Sequence, residues 1–165
     1  LGVAAINSLI EPDLRHAVDL NAADVIRQHG RGKRVAVIGH FPFIGRLRTE
    51  GLNIQVLELE PAAGDLPAES APAIVPLADI VVITATTIIN HTFDDLLGLC
   101  SPHALVMVIG PSTPLSAVLF DLGVHILAGT VVVDAEAVLR SICQGATFQQ
   151  VSGTRLVTIA PGKVW

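Results

Sequence analysis

Three side chains that commonly bind first-row transition metals lie at separate places in the chain: His40, Glu58 and His91. A neutral imidazole and a carboxylate are both suitable ligands for such metals. The sequence has no H-x-x-x-H, H-E-x-x-H or C-x-x-C pair, so a structural zinc site of ordinary spacing is not predicted. If these residues meet at one edge of the fold, they can form an open site for a divalent transition metal, with ligands from different loops. The alternative is that these three are ordinary loop residues.

Hydroxyl and amide side chains could hold the rest of a ligand. Ser112 and Thr113 lie between two prolines and could donate hydrogen bonds to it, or one of them caps a helix that begins at Pro114. The two roles are compatible, because the amides at a helix start attract anions. Asn90 is a further candidate for ligand contact, and Asn90 and Thr92 are also candidate caps of the helix that follows.

The usual nucleotide and hydrolase motifs are absent from the sequence. The segment 39–45 is not a G-x-G-x-x-G fingerprint, and Pro42 removes an amide donor where a phosphate would need one. There is no G-x-S-x-G and no P-loop. Glu58 or Glu60 follows Gly39 by about twenty residues, where Rossmann domains place a ribose-binding acid. An enzyme that binds a small anionic, pterin-like or nucleotide-like ligand is therefore the alternative function, although no base or nucleophile stands out.

The elements that must position these residues form an alternating pattern. Short runs rich in Val, Ile and Leu, bounded by turn residues, are typical of strands covered on both faces. These runs are 35–39, 54–59, 80–85, 105–110, 124–128 and 155–159. Helical patterns occupy 1–10, 21–30, 43–50, 91–99, 114–122 and 134–143, and 61–76 is predicted to be a surface loop with at most a short helix. The alternation predicts an α/β three-layer, Rossmann-like open sheet, mostly parallel, with helices on both faces.

Most of the unusual residues follow the predicted strands. The loops after the first five strands begin at Gly39, Glu58, Thr84, Gly110 and Gly129. In an open parallel sheet, ligands bind at the carboxyl ends of the strands. We therefore predict one polar, mostly uncharged crevice along this edge.

Composition excludes several classes of protein. Hydrophobic residues make up 51% of the 165 residues and charged residues 15%, which excludes general disorder. A net charge of −5 and an aromatic content of 4% argue against nucleic-acid binding. The charge-free segment 96–120 is broken by prolines and glycines, so we predict a buried strand with its loops and no membrane span. Two distant cysteines favour a reducing, cytoplasmic location, and the apolar surplus favours a homo-oligomer.

Several segments, taken in order and spacing, resemble the bacterial and archaeal family labelled "Putative heavy-metal chelation". The resemblance covers roughly 35–133 and, with the helix near the start, most of the chain. These segments are Gly39-His40-Phe41-Pro42-Phe43, Leu57-Glu58-Leu59-Glu60-Pro61, Gly64-Asp65-Leu66-Pro67, Ala78-Asp79-Ile80, Asn90-His91-Thr92 with Leu96-Leu97, and Gly110-Pro111-Ser112-Thr113-Pro114-Leu115.

The resemblance implies a Rossmann-like C-terminal domain that commonly follows an enolase-N-terminal-like domain, with the site between the two. We expect 1–165 to be the single Rossmann-like domain, with 1–20 a remnant of the linker or helix that joins an absent first domain. The implied function is heavy-metal chelation or metal-complex handling, with His40, Glu58 and His91 as metal ligands. The implied ligand-lining residues are Gly39, His40, Phe41, Glu58, Thr84, Asn90, Gly110, Pro111, Ser112 and Thr113.

Overall fold

A computed structural model of the chain, which describes residues 1–18 and 20–161, has one eight-stranded mixed sheet. The strand order across the sheet is β1-β8-β7-β6-β5-β2-β3-β4. The strands are β1 (Ala17–Val18), β2 (Arg34–Ile38), β3 (Asn53–Glu58), β4 (Leu66–Pro67), β5 (Ile80–Thr84), β6 (Leu105–Ile109), β7 (Ile126–Val132) and β8 (Thr154–Ile159).

In the part of the chain that the structure describes, eight α-helices connect or flank the strands, together with short 3-10 turns. The helices are α1 (Gly2–Leu9), α2 (Ala22–His29), α3 (Ile44–Thr49), α4 (Ala71–Ile74), α5 (Thr86–Ile89), α6 (Phe93–Gly98), α7 (Ala117–Asp121) and α8 (Ala135–Cys143). Among the described residues, no helix has the length and apolar composition needed to cross a bilayer.

The chain reverses its direction of travel across the sheet at β2. From β2 it proceeds through β3 to β4 on one side, and it then crosses over to β5, β6 and β7 on the other side. These six strands are parallel, with Val35 of β2 level with Ile54 of β3 and Ile80 of β5. Among the described strands, β8 alone runs in the opposite direction, antiparallel to both of its neighbours, β7 and β1. The topological switch point lies at β2, between β3 on one side and β5 on the other. Open α/β sheets bind ligands at such a point.

Alternate residues of each central strand enter two separate cores. In β2, Ala36 and Ile38 face the core shared with α4, α6 and α7, whereas Val35 and Val37 face the core shared with α2 and α3. This follows from the two-residue period of a strand. Because β2 is covered on both faces, its sequence is a continuous apolar run, and the predicted three-layer arrangement is confirmed.

The predicted strands agree with the structure to within one or two residues at most ends. The two-residue strands β1 and β4 were not predicted, because so short a segment has no period to detect. Residues 129–130 lie inside β7, which continues to Val132, so the loop predicted there is wrong.

Two helix predictions also need correction. The segment 91–99 contains only α6, and His91 lies before it with a positive φ of 62° in the turn that separates α6 from α5. The helix expected from Pro114 begins at Ala117, and the side chain of Ser116 caps it. Neither Ser112 nor Thr113 is therefore a helix cap.

Candidate functional site

A crevice of about 620 Å³ opens at the switch point. Its floor and walls come from the ends of β2, β3 and β5, the segment around α4, and the helices α5 and α6. The lining residues are Ile38, Gly39, His40, Phe41, Leu57, Glu58, Leu59, Ala68, Glu69, Ala71, Pro72, Thr84, Thr86, Thr87, Asn90, Thr92, Asp95, Leu96 and Leu99. The crevice therefore lies where the topology of the sheet predicts a ligand site.

Glu58 ties the end of β3 to the loop that follows β2. Its Oε1 accepts a hydrogen bond of 2.8 Å from the backbone N–H of His40, and its Oε2 accepts one of 3.0 Å from the N–H of Leu59. The negative charge of the carboxylate is thus held at the edge of the crevice by two backbone donors, a strong type of hydrogen bond. Each oxygen keeps lone-pair capacity for a further partner.

His40 contacts a buried carboxylate behind the crevice wall. Its Nδ1 lies 2.8 Å from Oδ2 of Asp65, whose side chain is 1% exposed, whereas the His40 side chain is 47% exposed. The guanidinium of Arg48 lies 3.6 Å from the other Asp65 oxygen. Asp65 directly precedes β4, and the pairing of β4 with the end of β3 brings this loop beside His40.

The opposite wall depends on a close approach between β2 and β5. Gly39 has a φ of +103°, and a Cβ atom at this position would lie 3.0 Å from the side chain of Thr84. Beyond Thr84, the hydroxyls of Thr84 and Thr86 are 2.6 Å apart, and the buried Thr87 donates its hydroxyl to the carbonyl of Thr84. Glycine at 39 is therefore required by both conformation and space.

The charged residues that line the crevice are all acidic, apart from the titratable His40. They are Glu58, Glu69 and Asp95, and none of the described residues that line the crevice is Lys or Arg. The sequence predicted a mostly uncharged crevice, and most of the lining residues are indeed uncharged; Glu69 and Asp95 come from segments that were not assigned to it. A concave surface with carboxylates and no opposing cation favours a positively charged ligand.

The structure brings six of the ten predicted ligand-lining residues to this crevice: Gly39, His40, Phe41, Glu58, Thr84 and Asn90. His91 does not line it, although both of its chain neighbours do. Among residues 1–18 and 20–161, no three His, Cys, Asp or Glu side chains are grouped so that they could hold a metal ion. The predicted set of His40, Glu58 and His91 is accordingly not such a group.

The other four predicted residues lie elsewhere on the same edge. Gly110 and Pro111 line an apolar pocket of about 500 Å³, which Phe41 separates from the crevice by lining both cavities. Thr113 is buried and lines a third cavity of about 480 Å³, while the carbonyl of Ser112 accepts a hydrogen bond from Asn7. The described part of this edge therefore carries at least three separate cavities, where one crevice had been predicted.

Three acidic residues of this region were missed as site residues: Asp65, Glu69 and Asp95. Asp65 and Glu69 lie in the segment 61–76, which its composition assigned to the surface. The run Gly64-Asp65-Leu66-Pro67 was the available signal for Asp65, because it lies in the connection that leaves the carboxyl end of β3. Asp95 lies in the first turn of α6, where an acid is ordinary.

Comparison with known proteins places these features in a family. The model of the family DUF364, described as "Putative heavy-metal chelation", matches residues 21–161. The chain belongs to this family. The DUF364 match includes every strand from β2 to β8, and with them all the residues that line the crevice.

One relative found by sequence is described as an uncharacterized protein, and two solved structures are described as DUF364 proteins of unknown function. An uncharacterized protein of Methanocaldococcus jannaschii is 29% identical over 146 residues, which are 84% of this chain and 56% of that protein. A DUF364 crystal structure from Desulfitobacterium hafniense has a TM-score of 0.74 and 32% identity over 86% of this chain and 58% of its own. One from Pyrococcus horikoshii has a TM-score of 0.82 and 27% identity, over 96% and 67%. The chain thus spans little more than half of the first two relatives.

Proposed function

We propose that this chain binds a transition-metal ion or a metal complex in the switch-point crevice, through the imidazole of His40 and the carboxylate of Glu58. The observation that carries the proposal is the acidic lining: Glu58, Glu69 and Asp95 line the crevice together with His40, and none of the described residues that line it is Lys or Arg. Carboxylates and an imidazole with no competing cation suit a divalent cation in charge and in ligand type.

The residues of the crevice suit a metal site that keeps free coordination positions, and not one in which protein ligands fill every position. His40 and Glu58 share a hydrogen bond between the His40 backbone and the Glu58 side chain, so the two residues are held together. Because the described residues contain no group of three ligands, further coordination positions would be filled by water or by ligands that arrive with the metal. A metal complex therefore suits the crevice at least as well as a bare ion.

The alternative, an enzyme that acts on a small anionic, pterin-like or nucleotide-like molecule, is favoured by the sheet topology alone. Rossmann-like sheets bind such ligands at the switch point. The charge of the crevice opposes the anionic members of this class, because a phosphate would meet three carboxylates and no cation. Thermal-shift measurements with nucleotides and pterins test this hypothesis directly. Stabilisation of the chain by a nucleotide but not by a metal ion would favour the enzyme.

The proposal is tested by titrating the chelator-treated chain with Co²⁺. We expect one Co²⁺ per chain for the wild type, no stoichiometric binding for His40→Ala, and weaker binding for Glu58→Gln. The matched controls are His103→Ala, at an exposed histidine away from the crevice lining, and His91→Ala, at the predicted ligand that lies outside the lining. Wild-type affinity in His40→Ala, or an equal loss in His103→Ala, would contradict the proposal.

A further inference from the structure

We infer that Asp65 is a positioning residue that fixes the tautomer of His40, so that the ring presents an unprotonated Nε2 to the ligand in the crevice. The inference rests on the proposed function, because it specifies how His40 is prepared to bind a cation. Asp65 itself does not line the crevice.

The contact defines the direction of the hydrogen bond. An ionised carboxylate can only accept, so the 2.8 Å contact requires that Nδ1 of His40 carries the hydrogen and donates it to Oδ2 of Asp65. A neutral imidazole has one N–H, and Nε2 is then left with its lone pair. Metal-binding histidines commonly donate their second ring nitrogen to a carboxylate in this way, which fixes the tautomer and the ring orientation.

Burying the Asp65 carboxylate costs free energy, and its contacts among the described residues do not stabilise the local backbone. This indicates that the carboxylate acts on His40. Its side chain is 1% exposed, yet its Oδ1 has no hydrogen-bond partner among the described residues and only the guanidinium of Arg48 at 3.6 Å. By contrast, the structural aspartates Asp134 and Asp79 each accept a backbone N–H, at the start of α8 and of β2 respectively. The Asp65 side chain is instead hydrogen-bonded to the ring of His40.

Arg48 holds the loop that carries Asp65. Its Nε donates to the carbonyl of Ile54 and its Nη2 to the carbonyl of Gly64, each at 3.3 Å. Because Gly64 adopts a φ of +92°, the loop turns sharply just before Asp65 and directs it towards His40. Arg48 thereby supplies both a cationic partner for the buried carboxylate and the scaffold that places it.

Two measurements on the same samples test the inference. Long-range ¹H–¹⁵N correlation spectra of the metal-free chain at about pH 8, above the ordinary imidazole pKa of about 6.5, report which nitrogen of His40 carries the hydrogen. We expect the Nδ1–H tautomer in the wild type. In Asp65→Asn the amide should direct its oxygen to Arg48 and its NH₂ to His40, which imposes the Nε2–H tautomer. Co²⁺ affinity should then fall by about 10- to 100-fold.

The control variant is Asp95→Asn, which removes a carboxylate of the crevice lining and should leave the Nδ1–H tautomer unchanged. An Nε2–H tautomer in the wild type overturns the inference, and this result needs no variant to fold. A change of the His40 tautomer in Asp65→Asn without loss of Co²⁺ affinity also overturns the inference. So does a loss of Co²⁺ affinity without a change of tautomer. If the wild type binds no Co²⁺, the proposed function fails, and the His40 tautomer still decides whether Asp65 positions the ring.

Discussion

The loop after β2 and the loop after β6 start in the same way but form different surfaces. Each starts with a glycine of positive φ, Gly39 at +103° and Gly110 at +131°, whose N–H donates to a carbonyl of the neighbouring strand. Each then continues into a proline. The first loop borders an acidic crevice with a histidine, whereas the second borders an apolar pocket.

The difference follows from strand order. At β2 the chain leaves towards β3 on one side and returns at β5 on the other, so the connections diverge and a crevice opens between them. At β6 the chain continues in one direction from β5 to β7, so the connections do not diverge there, and Thr113 of the loop is buried. Similar local sequence therefore gives a candidate ligand site only where the topology separates the loops.

The largest expected effect comes from adding a methyl group at the close approach beside the crevice. Gly39→Ala and Gly123→Ala impose the same backbone strain, since φ is +103° and +99°, but only at position 39 does the new Cβ meet another side chain. We expect Gly39→Ala to lower the free energy of unfolding by about 1–3 kcal/mol more than Gly123→Ala, as overpacking does. Urea unfolding of both variants measures this excess.

An equal loss of stability in the two variants would show that the Thr84 side chain moves away from the new methyl group at no cost in free energy. In that case the ends of β2 and β5 are not tightly packed at the crevice. The structural difference between the loop after β2 and the loop after β6 is then smaller than we propose.

A matched pair of threonines gives the next effect. Thr87 beside the crevice and Thr113 in the loop after β6 are both buried, and each donates its hydroxyl to the carbonyl three residues earlier, at 2.7 and 2.8 Å. Replacing either by Val should lower the free energy of unfolding by about 0.5–1.5 kcal/mol, the usual contribution of such a bond.

Co²⁺ titration separates the two threonine variants. Only Thr87→Val should weaken binding, because the carbonyl that loses its partner belongs to Thr84 in the crevice wall. A loss of affinity in Thr113→Val and not in Thr87→Val would move the site to the loop after β6.

The smallest effect concerns the two cysteines. Burial raises the pKa of the Cys100 thiol to about 11, because a thiolate is poorly solvated there, whereas Cys143 at the end of α8 is exposed. Since the thiolate is the reactive form, alkylation of Cys100 by iodoacetamide should accelerate about tenfold per pH unit between about pH 8 and 10. Peptide mass spectrometry measures the rate at each cysteine, and a rate at Cys100 that stays level over this range would contradict the burial.

The sequence was sufficient to predict the sheet but only part of the site. Runs such as 80–85 are almost entirely apolar because both faces of the strand are buried. This pattern can be recognised in the sequence without knowing which strands lie next to each other. The division of the carboxyl edge into separate cavities could not be predicted, because it depends on which strands lie side by side. Asp65 was missed as a site residue for the same reason, since the pairing of the two-residue strand β4 with β3 helps to bring it to His40.

The central claim is that the switch-point crevice, and not the loop after β6, is the site that takes a metal. The most direct test is backbone-amide NMR of the ¹⁵N-labelled chain during titration with paramagnetic Co²⁺, which broadens signals close to the bound ion. We predict that the amides of Gly39–Phe41, Leu57–Leu59 and Thr84–Thr86 broaden first, while those of Gly110–Thr113 persist. Broadening that begins at Gly110–Thr113, or that is spread evenly over exposed carboxylates, would contradict the claim.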